Sequence, residues 1–401
     1  MALDFRQVRQ QIIELGEKAP GRAERLRVQR QLALEQLISH ADDLESLSQK
    51  VQLVARNYDP NLRCALPACG PWDGLGDLDS HYALPGLPER ATILAADGSQ
   101  IAPDRHAALD YCLVNVGAIQ MEQGAAAAPH LTVSSQLLYD EQLYSESGLI
   151  TDARLALMRD LNERKMLAEL ARQAVPPVIT FTDGPMELWG AKDGSSETEF
   201  QRSLEDYQRV LAGLCESKVT TAGYVDKPAA NLVVRLLEVG MLAQEDLPQV
   251  RKLHPLRGVL DRHLYQGLLA PGERSAVFAI QSRSAQQYHD ELALHFFYLN
   301  VGRLGHSWLA RVEVPAWVAT DQKMLEDLHS TLVHHCQVMG SRPYPYLLHR
   351  AHEAAVVSLE EKEQVTQMIA MELHQRGVEV GEASYKQSAK DLGGRTRYER
   401  K

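Results

Sequence analysis

Ile93-Leu94-Ala95-Ala96-Asp97-Gly98-Ser99 and Val178-Ile179-Thr180-Phe181-Thr182-Asp183-Gly184-Pro185 are the two stretches that decide the fold of this chain. Each is an apolar, strand-like run that ends in an aspartate followed at once by glycine. A carboxylate at the end of a buried strand is costly unless positive charge compensates it. Side by side in one sheet, Asp97 and Asp183 would repel unless a divalent cation lay between them, an arrangement suited to metal-assisted phosphodiester hydrolysis. Asp-Gly is also a common turn dipeptide, so each motif taken alone is equally well explained as a turn.

The composition is that of an ordinary globular protein with one or two domains. The chain has 401 residues, of which 45% are hydrophobic and 24% charged. Its N-terminus turns polar immediately and no run is long enough to span a membrane, so we expect a cytoplasmic protein with no membrane partner. The formal net charge of −11 argues against coating nucleic acid through overall charge. Local basic strips would have to hold a nucleic-acid substrate.

The cysteines are few and odd in number, which is typical of reduced thiols in a cytosolic chain. Cys64 and Cys69 lie close together, but no second Cys or His pair at zinc-ribbon spacing follows them. A loop with two incidental thiols is therefore favoured over a zinc site.

Four segments follow one another along the chain. Residues 1–57 have apolar positions at helical spacing, with Pro20-Gly21 as punctuation, and predict an amphipathic helical pair that packs on the core or on a second copy of the chain. Residues 58–90 are rich in Pro, Gly and Asp and predict an irregular connector. Over 91–376 strands and helices alternate, which predicts an α/β fold with a mixed sheet covered by helices. Residues 377–401 form a polar C-terminal tail.

A helix predicted over 152–174 offers two further carboxylates, Glu163 and Glu169. They are six residues apart and do not share a helical face well, so only one of them could point toward both aspartates. A helix glutamate is more often a solvated surface charge. Arg159, four residues before Glu163, would also fit a plain helix salt bridge.

Two later motifs carry candidate polar groups. Lys227, in Asp226-Lys227-Pro228, closes a third strand-like run and could hold a phosphate or stabilise developing charge, although an exposed turn lysine is the simpler interpretation. The stretch 341–353 opens extended, with prolines that set Tyr344 before the helix start. His352, in the first turns of that helix, could ligate a cation or carry a proton, although a lone histidine there is more often structural.

Motifs of several other chemistries are missing from the sequence. It has no Gly-Lys-Ser/Thr phosphate loop, no Gly-x-Ser-x-Gly elbow, no Gly-x-Gly-x-x-Gly after a strand and no His-Glu-x-x-His. We therefore do not expect the chain to hydrolyse ATP itself.

Taken in order, the motifs resemble the NurA nucleases over about residues 90–375. The resemblance rests on the two Asp-Gly stretches and the helix glutamate between them. It also rests on a series of later blocks: Tyr224-Val225-Asp226-Lys227-Pro228, Gly272-Glu273-Arg274-Ser275-Ala276-Val277-Phe278, His295-Phe296-Phe297-Tyr298-Leu299, Arg311-Val312-Glu313-Val314-Pro315-Ala316-Trp317-Val318, and Tyr344-Pro345 with Ala351-His352.

The resemblance implies an RNase H-like mixed central sheet flanked by helices, here with an N-terminal helical extension. It implies a carboxylate site for Mn²⁺, with Mg²⁺ as the other candidate ion, and a homodimer with a central passage for DNA. The activities implied are 5′-to-3′ degradation of DNA and nicking of single strands. The implied partner is a HerA-type hexameric ATPase, and the implied process is end resection during double-strand-break repair.

The resemblance also assigns residues. Asp97 and Asp183 match metal ligands, and a helix glutamate between them is the third, with Glu163 favoured and Glu169 in reserve. His352 matches a late histidine near the metals. Tyr344 matches an active-site tyrosine, and Lys227 matches a basic position after the third strand.

The resulting hypothesis is a two-metal hydrolysis in which the three carboxylates hold ions roughly 4 Å apart. Oxygen-rich ligation favours Mn²⁺ or Mg²⁺ over zinc. One alternative is a scaffold that binds a repair ATPase and DNA without productive cleavage. Another, poorer alternative is a metal-dependent phosphatase that acts on small molecules.

Overall fold

The computed structural model describes residues 3–68, 76–103, 110–145, 148–188 and 197–378. The chain divides into two compact units whose segments alternate along the sequence. The first unit comprises Met1–Pro88, Gly184–Glu187 and Ala222–Pro345, and the second comprises Glu89–Asp183, Leu188–Thr221 and Tyr346–Lys401. The stretch predicted as one nuclease domain, 91–376, therefore contributes to both units.

The first unit is built on antiparallel strands in the order β1-β11-β12-β13-β9, with the short β10 paired to both β12 and β2. Its strands are β1 (Cys64–Pro67), β2 (His81–Tyr82), β9 (Thr220–Asp226, from Ala222 onward), β10 (Arg274–Ser275), β11 (Phe278–Gln281), β12 (Leu294–Asn300) and β13 (Leu309–Pro315). Its α-helices are α1 (Phe5–Ser39), α2 (Leu44–Asn57), α5 (Leu232–Met241), α6 (Asp261–Leu268), α7 (Ala316–Ala319) and α8 (Gln322–Val338).

Two sequence predictions for this unit need correction. Helix α1 continues through Pro20, where a break was expected. The proline removes only one backbone donor from the helix, and the neighbouring Ala, Glu, Lys and Arg residues favour a helical backbone. The segment 58–90 is not irregular throughout, since it contributes β1, paired to β11, and β2, paired to β10. Such short strands exist only through distant partners, so no local periodicity announces them. Cys64 is buried and forms no disulfide, and Cys69 lies outside the described residues.

The second unit contains the two stretches from which the sequence argument began. Its sheet has the order β8-β3-β4-β5, in which β4 is antiparallel to both β3 and β5 and β8 is parallel to β3. The strands are β3 (Ala91–Ile101), β4 (Cys112–Gln123), β5 (His130–Leu138) and β8 (Val178–Asp183), and β6 (Tyr144–Ser145) pairs with β7 (Gly148–Leu149) separately. The helices are α3 (Asp152–Gln173), α4 (Glu197–Glu216), α9 (Tyr346–Ala355) and α10 (Leu359–Gln375).

This strand order confirms the expected α/β class with a mixed sheet flanked by helices. Three successive antiparallel strands, followed through a helix by a strand parallel to the first, form an RNase H-like arrangement. Within the described ranges, no helix combines the length and apolar composition that crossing a membrane requires.

Helix α9 lies directly on the sheet of the second unit because β4 has a glycine beneath it. A Cβ on Gly117 would lie 2.8 Å from the backbone nitrogen of Ala355 and 2.9 Å from the carbonyl oxygen of Ala351. The carbonyl of Ala355, at the end of α9, accepts hydrogen bonds from Ser99 Oγ at 2.5 Å and Asn115 Nδ2 at 2.8 Å. These contacts set the position of α9 over β3 and β4.

Helix α3 is tied to the same sheet by a buried arginine. Arg164 donates to Thr182 Oγ1 at 2.6 Å and to Thr221 Oγ1 at 2.9 Å. A buried guanidinium that lost such partners would be costly, so these bonds hold the helix in one register on β8.

Candidate metal and catalytic site

Asp97 lies within a strand and not at its end. Strand β3 continues to Ile101, and Asp97 is paired with Gly117 on β4. The predicted Asp97-Gly98 turn is therefore wrong, because β4 supplies pairing partners along the whole length of β3. The carboxylate is presented from a rigid, paired backbone, and Gly98 N–H donates to its Oδ1 at 2.9 Å.

Asp97 and Asp183 occupy neighbouring positions on adjacent parallel strands. The last paired residues are Ala96 and Thr182, so the next position on each strand is an aspartate. Residues that are paired across parallel strands project from the same face of the sheet. Thr182 bonds to α3, so Asp183 and Asp97 both point toward the opposite face. The structure therefore brings together the two carboxylates that the sequence placed there.

His352 contacts this pair from α9. Its Nδ1–H donates to Asp97 Oδ2 at 2.6 Å. A neutral imidazole that donates through Nδ1 keeps a lone pair on Nε2, which can accept a proton or bind a cation. The bonds of Ser99 and Asn115 to the end of α9, one turn later, keep the histidine in place.

Glu163 reaches β3 from α3, at a residue without a side chain. Successive residues of a strand direct their side chains to opposite faces of the sheet, so a side chain at Gly98 would point away from that of Asp97. A Cβ on Gly98 would lie 2.8 Å from Glu163 Oε1. Glu163 is 5% exposed, and burial raises its pKa well above the usual range. The charges of Asp160 and Asp97 raise that pKa further, and those of Arg159 and Arg164 lower it.

Of the two helix glutamates, Glu163 is buried at Gly98, the residue after Asp97, on the α3 face of the sheet, and Glu169 is exposed. The side chains of Asp97 and Asp183 point to the opposite face. The structure adds a carboxylate that the sequence reasoning missed, Asp160. It lies three residues before Glu163 on the same helical face, a spacing that could have revealed it. Arg159 lies against both acids, with Nη2 at 2.8 Å from Asp160 Oδ1 and Nε at 3.6 Å from Glu163 Oε1.

The donor chemistry of the site fits a hard divalent cation. Carboxylate oxygens predominate among the groups at the site. Within the described residues, however, no three His, Cys, Asp or Glu side chains are close enough together to hold an ion as they stand. The residues therefore fit a metal by type and charge, and a complete ligand shell would need side-chain movement.

The other two predicted site residues lie in the first unit. Lys227 has a positive φ of 43°, and its Nζ lies 3.8 Å from the ring centroid of Trp308. The ring of Tyr344 meets that of Tyr224 edge-on, with 5.7 Å between centroids.

Comparison with solved structures gave distant likenesses, of which three are described here. Endonuclease V of Ciona intestinalis, in complex with a 24mer DNA containing an inosine followed by a ribo-adenosine, is 10% identical over 70% of this chain and 87% of that chain, with a TM-score of 0.30. The catalytic domain of human Endonuclease V is 13% identical over 81% and 98%, with a TM-score of 0.31. LC9-RNase H1, a type 1 RNase H with the type 2 active-site motif, is 15% identical over 34% and 63%, with a TM-score of 0.22. At these scores the likenesses are too low to assign a function to this chain.

The comparison with curated proteins gave no match. The family model described as the NurA domain, in contrast, matches residues 91–357. That range contains every predicted site residue and covers most of the chain. The chain therefore belongs to the NurA domain family, a membership that supports a nuclease.

Proposed function

We propose that the chain is a metal-dependent DNA nuclease that uses Mn²⁺, with Mg²⁺ as the other candidate ion. The observation that carries the proposal is the placement of Asp97 and Asp183 at neighbouring positions on parallel strands, with His352 bonded to Asp97 at 2.6 Å. Closely spaced carboxylates next to a histidine suit phosphodiester hydrolysis better than a purely structural role, because their mutual repulsion costs stability without a cation.

The residues divide the work as follows. Asp97, Glu163 and Asp183 would hold the ion, with His352 as a further ligand or proton carrier. A bound Mn²⁺ or Mg²⁺ would supply an activated water and offset charge on the phosphate. His352, fixed by Asp97 through Nδ1, can accept or deliver a proton at Nε2.

The family membership supports further assignments. Lys227 would donate to a phosphate oxygen, and Tyr344 would match the active-site tyrosine of the family. We propose 5′-to-3′ exonuclease and single-strand endonuclease activities, exercised by a cytoplasmic homodimer. Its partner would be a HerA-type ATPase, and its process DNA end resection in double-strand-break repair.

A second candidate function is a scaffold that binds a repair ATPase and DNA without productive cleavage. It is favoured by two features. The hydrogen bond from His352 engages Asp97 Oδ2, and the described residues contain no ready group of three metal-ligating side chains.

Cleavage of labelled single- and double-stranded DNA in Mn²⁺, Mg²⁺ or chelator tests the proposal. The wild type should cut only with metal, and Asp97→Asn should lose at least about a hundredfold of the rate while it stays folded. Glu169→Gln, which removes an exposed carboxylate from α3, the helix that carries Glu163, is the matched control and should cut DNA at the wild-type rate.

A manganese titration of the melting temperature separates the two candidates. A ligand that binds only the folded state stabilises it, so a productive site should raise the melting temperature of the wild type and not of Asp97→Asn. A wild type that shows neither cleavage nor stabilisation would favour the scaffold.

A further inference from the structure

The first unit contains a small cavity whose lining is dominated by hydrogen-bond donors. Its volume is about 170 Å³, and it is lined by Lys227, Arg262, Gln266, Ser307, Trp308 and Leu309. Five of these side chains carry an N–H or O–H group, and none is acidic. We call this set of residues the cationic cradle.

Three separate elements supply the donors. Arg262 and Gln266 are four residues apart on α6 and therefore lie on one face of that helix. Lys227 follows β9, and its ammonium group is held over the face of Trp308 at 3.8 Å from the ring centroid. The positive φ of Lys227, 43°, is an uncommon backbone conformation for a lysine and indicates that the surrounding structure imposes its position.

A buried asparagine links these elements. Asn300 Nδ2 donates to the carbonyl of Leu269 at 2.8 Å, directly after α6. Its Oδ1 accepts hydrogen bonds from the backbone of Gly302 and Trp308, each at 3.1 Å. The end of α6 and the start of β13 are thus joined through one side chain, so the cradle is organised before any ligand arrives.

Among the described residues, neither cation of the cradle, Lys227 or Arg262, takes part in a salt bridge. The nearest acid along the chain, Asp226, accepts a hydrogen bond from Trp308 Nε1 at 2.7 Å. Ser307 Oγ is buried and has no hydrogen-bond partner among the described residues. Two cations, an amide and an unsatisfied hydroxyl around one small cavity are the donor set of an oxyanion site.

We propose that the cationic cradle binds a phosphate group of the DNA backbone, an inference that rests on the proposed nuclease function. The whole chain carries a formal charge of −11, so DNA must be held at local cationic sites. Arg262 supplies a planar donor fork that matches phosphate oxygens, and Gln266 adds a neutral donor one turn away. Arg262 and Gln266 are binding residues of this site, distinct from the carboxylates that would carry the chemistry.

Binding of a fluorescently labelled single strand in chelator tests the cradle without cleavage. Arg262→Gln should weaken binding about tenfold at about 50 mM salt and reduce the slope of log affinity against log salt by about 0.7, the value of one phosphate contact on a single strand. Gln266→Ala should weaken binding less and leave the slope unchanged, because no charge is lost. Arg257→Gln, which removes an exposed arginine of the same unit outside the cavity, is the matched control and should bind like the wild type.

Two further measurements distinguish a DNA phosphate from free phosphate as the ligand, and failure of the cradle proposal from failure of the nuclease function. In cleavage assays Arg262→Gln should raise KM and leave kcat near the wild-type value. Arg262→Gln that binds DNA like the wild type, with an unchanged unfolding midpoint, would overturn the proposal. The proposal would also be overturned if millimolar inorganic phosphate bound to the wild type while Arg262→Gln left the affinity for DNA unchanged. The cavity would then be a site for free phosphate and not for the DNA backbone. If the wild type does not cut DNA in any metal, the nuclease function fails, and the binding measurement still reports on the cradle.

Discussion

Gly98→Ala is a one-carbon change that tests how α3 meets β3. The backbone of Gly98 has a negative φ, so alanine is not excluded by its conformation. The obstacle is steric. The new Cβ would lie 2.4 Å from Arg159 Cγ, 3.0 Å from Arg159 Cδ and 2.8 Å from Glu163 Oε1.

The size of the effect follows from these distances. Real Cβ contacts are rarely closer than about 3.4 Å, so the stem of Arg159 must move by about 1 Å. Arg159 Cγ is close to the helix backbone, so the side chain cannot simply swing away and α3 must shift with it. Overpacking of this kind costs about 1–3 kcal/mol of the free energy of unfolding. A displacement of about 1 Å at Glu163 should lower the cleavage rate by about a hundredfold.

Gly213→Ala is the matched control. Gly213 is an exposed residue of α4 with no atom within 4 Å of its would-be Cβ. In a helix interior this exchange should stabilise the protein by about 0.5–1 kcal/mol and leave cleavage unchanged. Chemical denaturation in metal-free buffer measures stability, and cleavage of labelled DNA in Mn²⁺ measures the effect on the site.

The outcomes are distinct. Gly98→Ala should unfold at lower denaturant concentration than the wild type and, while still folded, cut much more slowly. A variant with wild-type stability and wild-type cleavage would show that α3 does not approach β3 at this glycine, and the placement of Glu163 against Gly98 would then be wrong.

Three further predictions concern two buried titratable groups, Glu163 and His329. Glu163→Gln should abolish cleavage, whereas Glu169→Gln should not, and equal losses in the two variants would reject Glu163 as the helix ligand. Because burial raises the pKa of Glu163, its ionisation costs folded-state stability as pH rises, so metal-free Glu163→Gln should melt higher than the wild type at alkaline pH and not at low pH. Burial lowers the pKa of His329 from 6.5 to about 4 while its Nε2–H donates to the carbonyl of Gly272 at 2.7 Å. The stability that depends on neutral His329 is present above about pH 6.5 and lost as pH falls toward 4, by about 3 kcal/mol, and chemical denaturation across this range should show a flatter profile for His329→Gln.

Local patterns identified both aspartates because each follows a short apolar run, which is a property of adjacent residues. The helix that carries Glu163 was also predictable, since its boundaries depend on residues near in sequence, and the mixed sheet followed from the alternation of strands and helices. The Asp97-Gly98 turn was wrong for a complementary reason. Whether a strand continues past a glycine depends on a pairing partner, and that partner, β4, follows in the next segment of the chain. The strands in 58–90 were missed because their partners lie some 200 residues away.

By itself, then, the sequence determined the chemical inventory of this protein: carboxylates after apolar runs, a histidine on a late helix, and the ordered motifs of the NurA family. Tertiary structure alone decided which of them meet. Parallel pairing of β3 and β8 put Asp97 beside Asp183, the packing of α9 on Gly117 brought His352 to Asp97, and the missing side chain of Gly98 admitted Glu163 in preference to Glu169. The physical reason is that proximity across a sheet depends on register and on close packing between elements distant in sequence, and neither leaves a signature in the local order of residues.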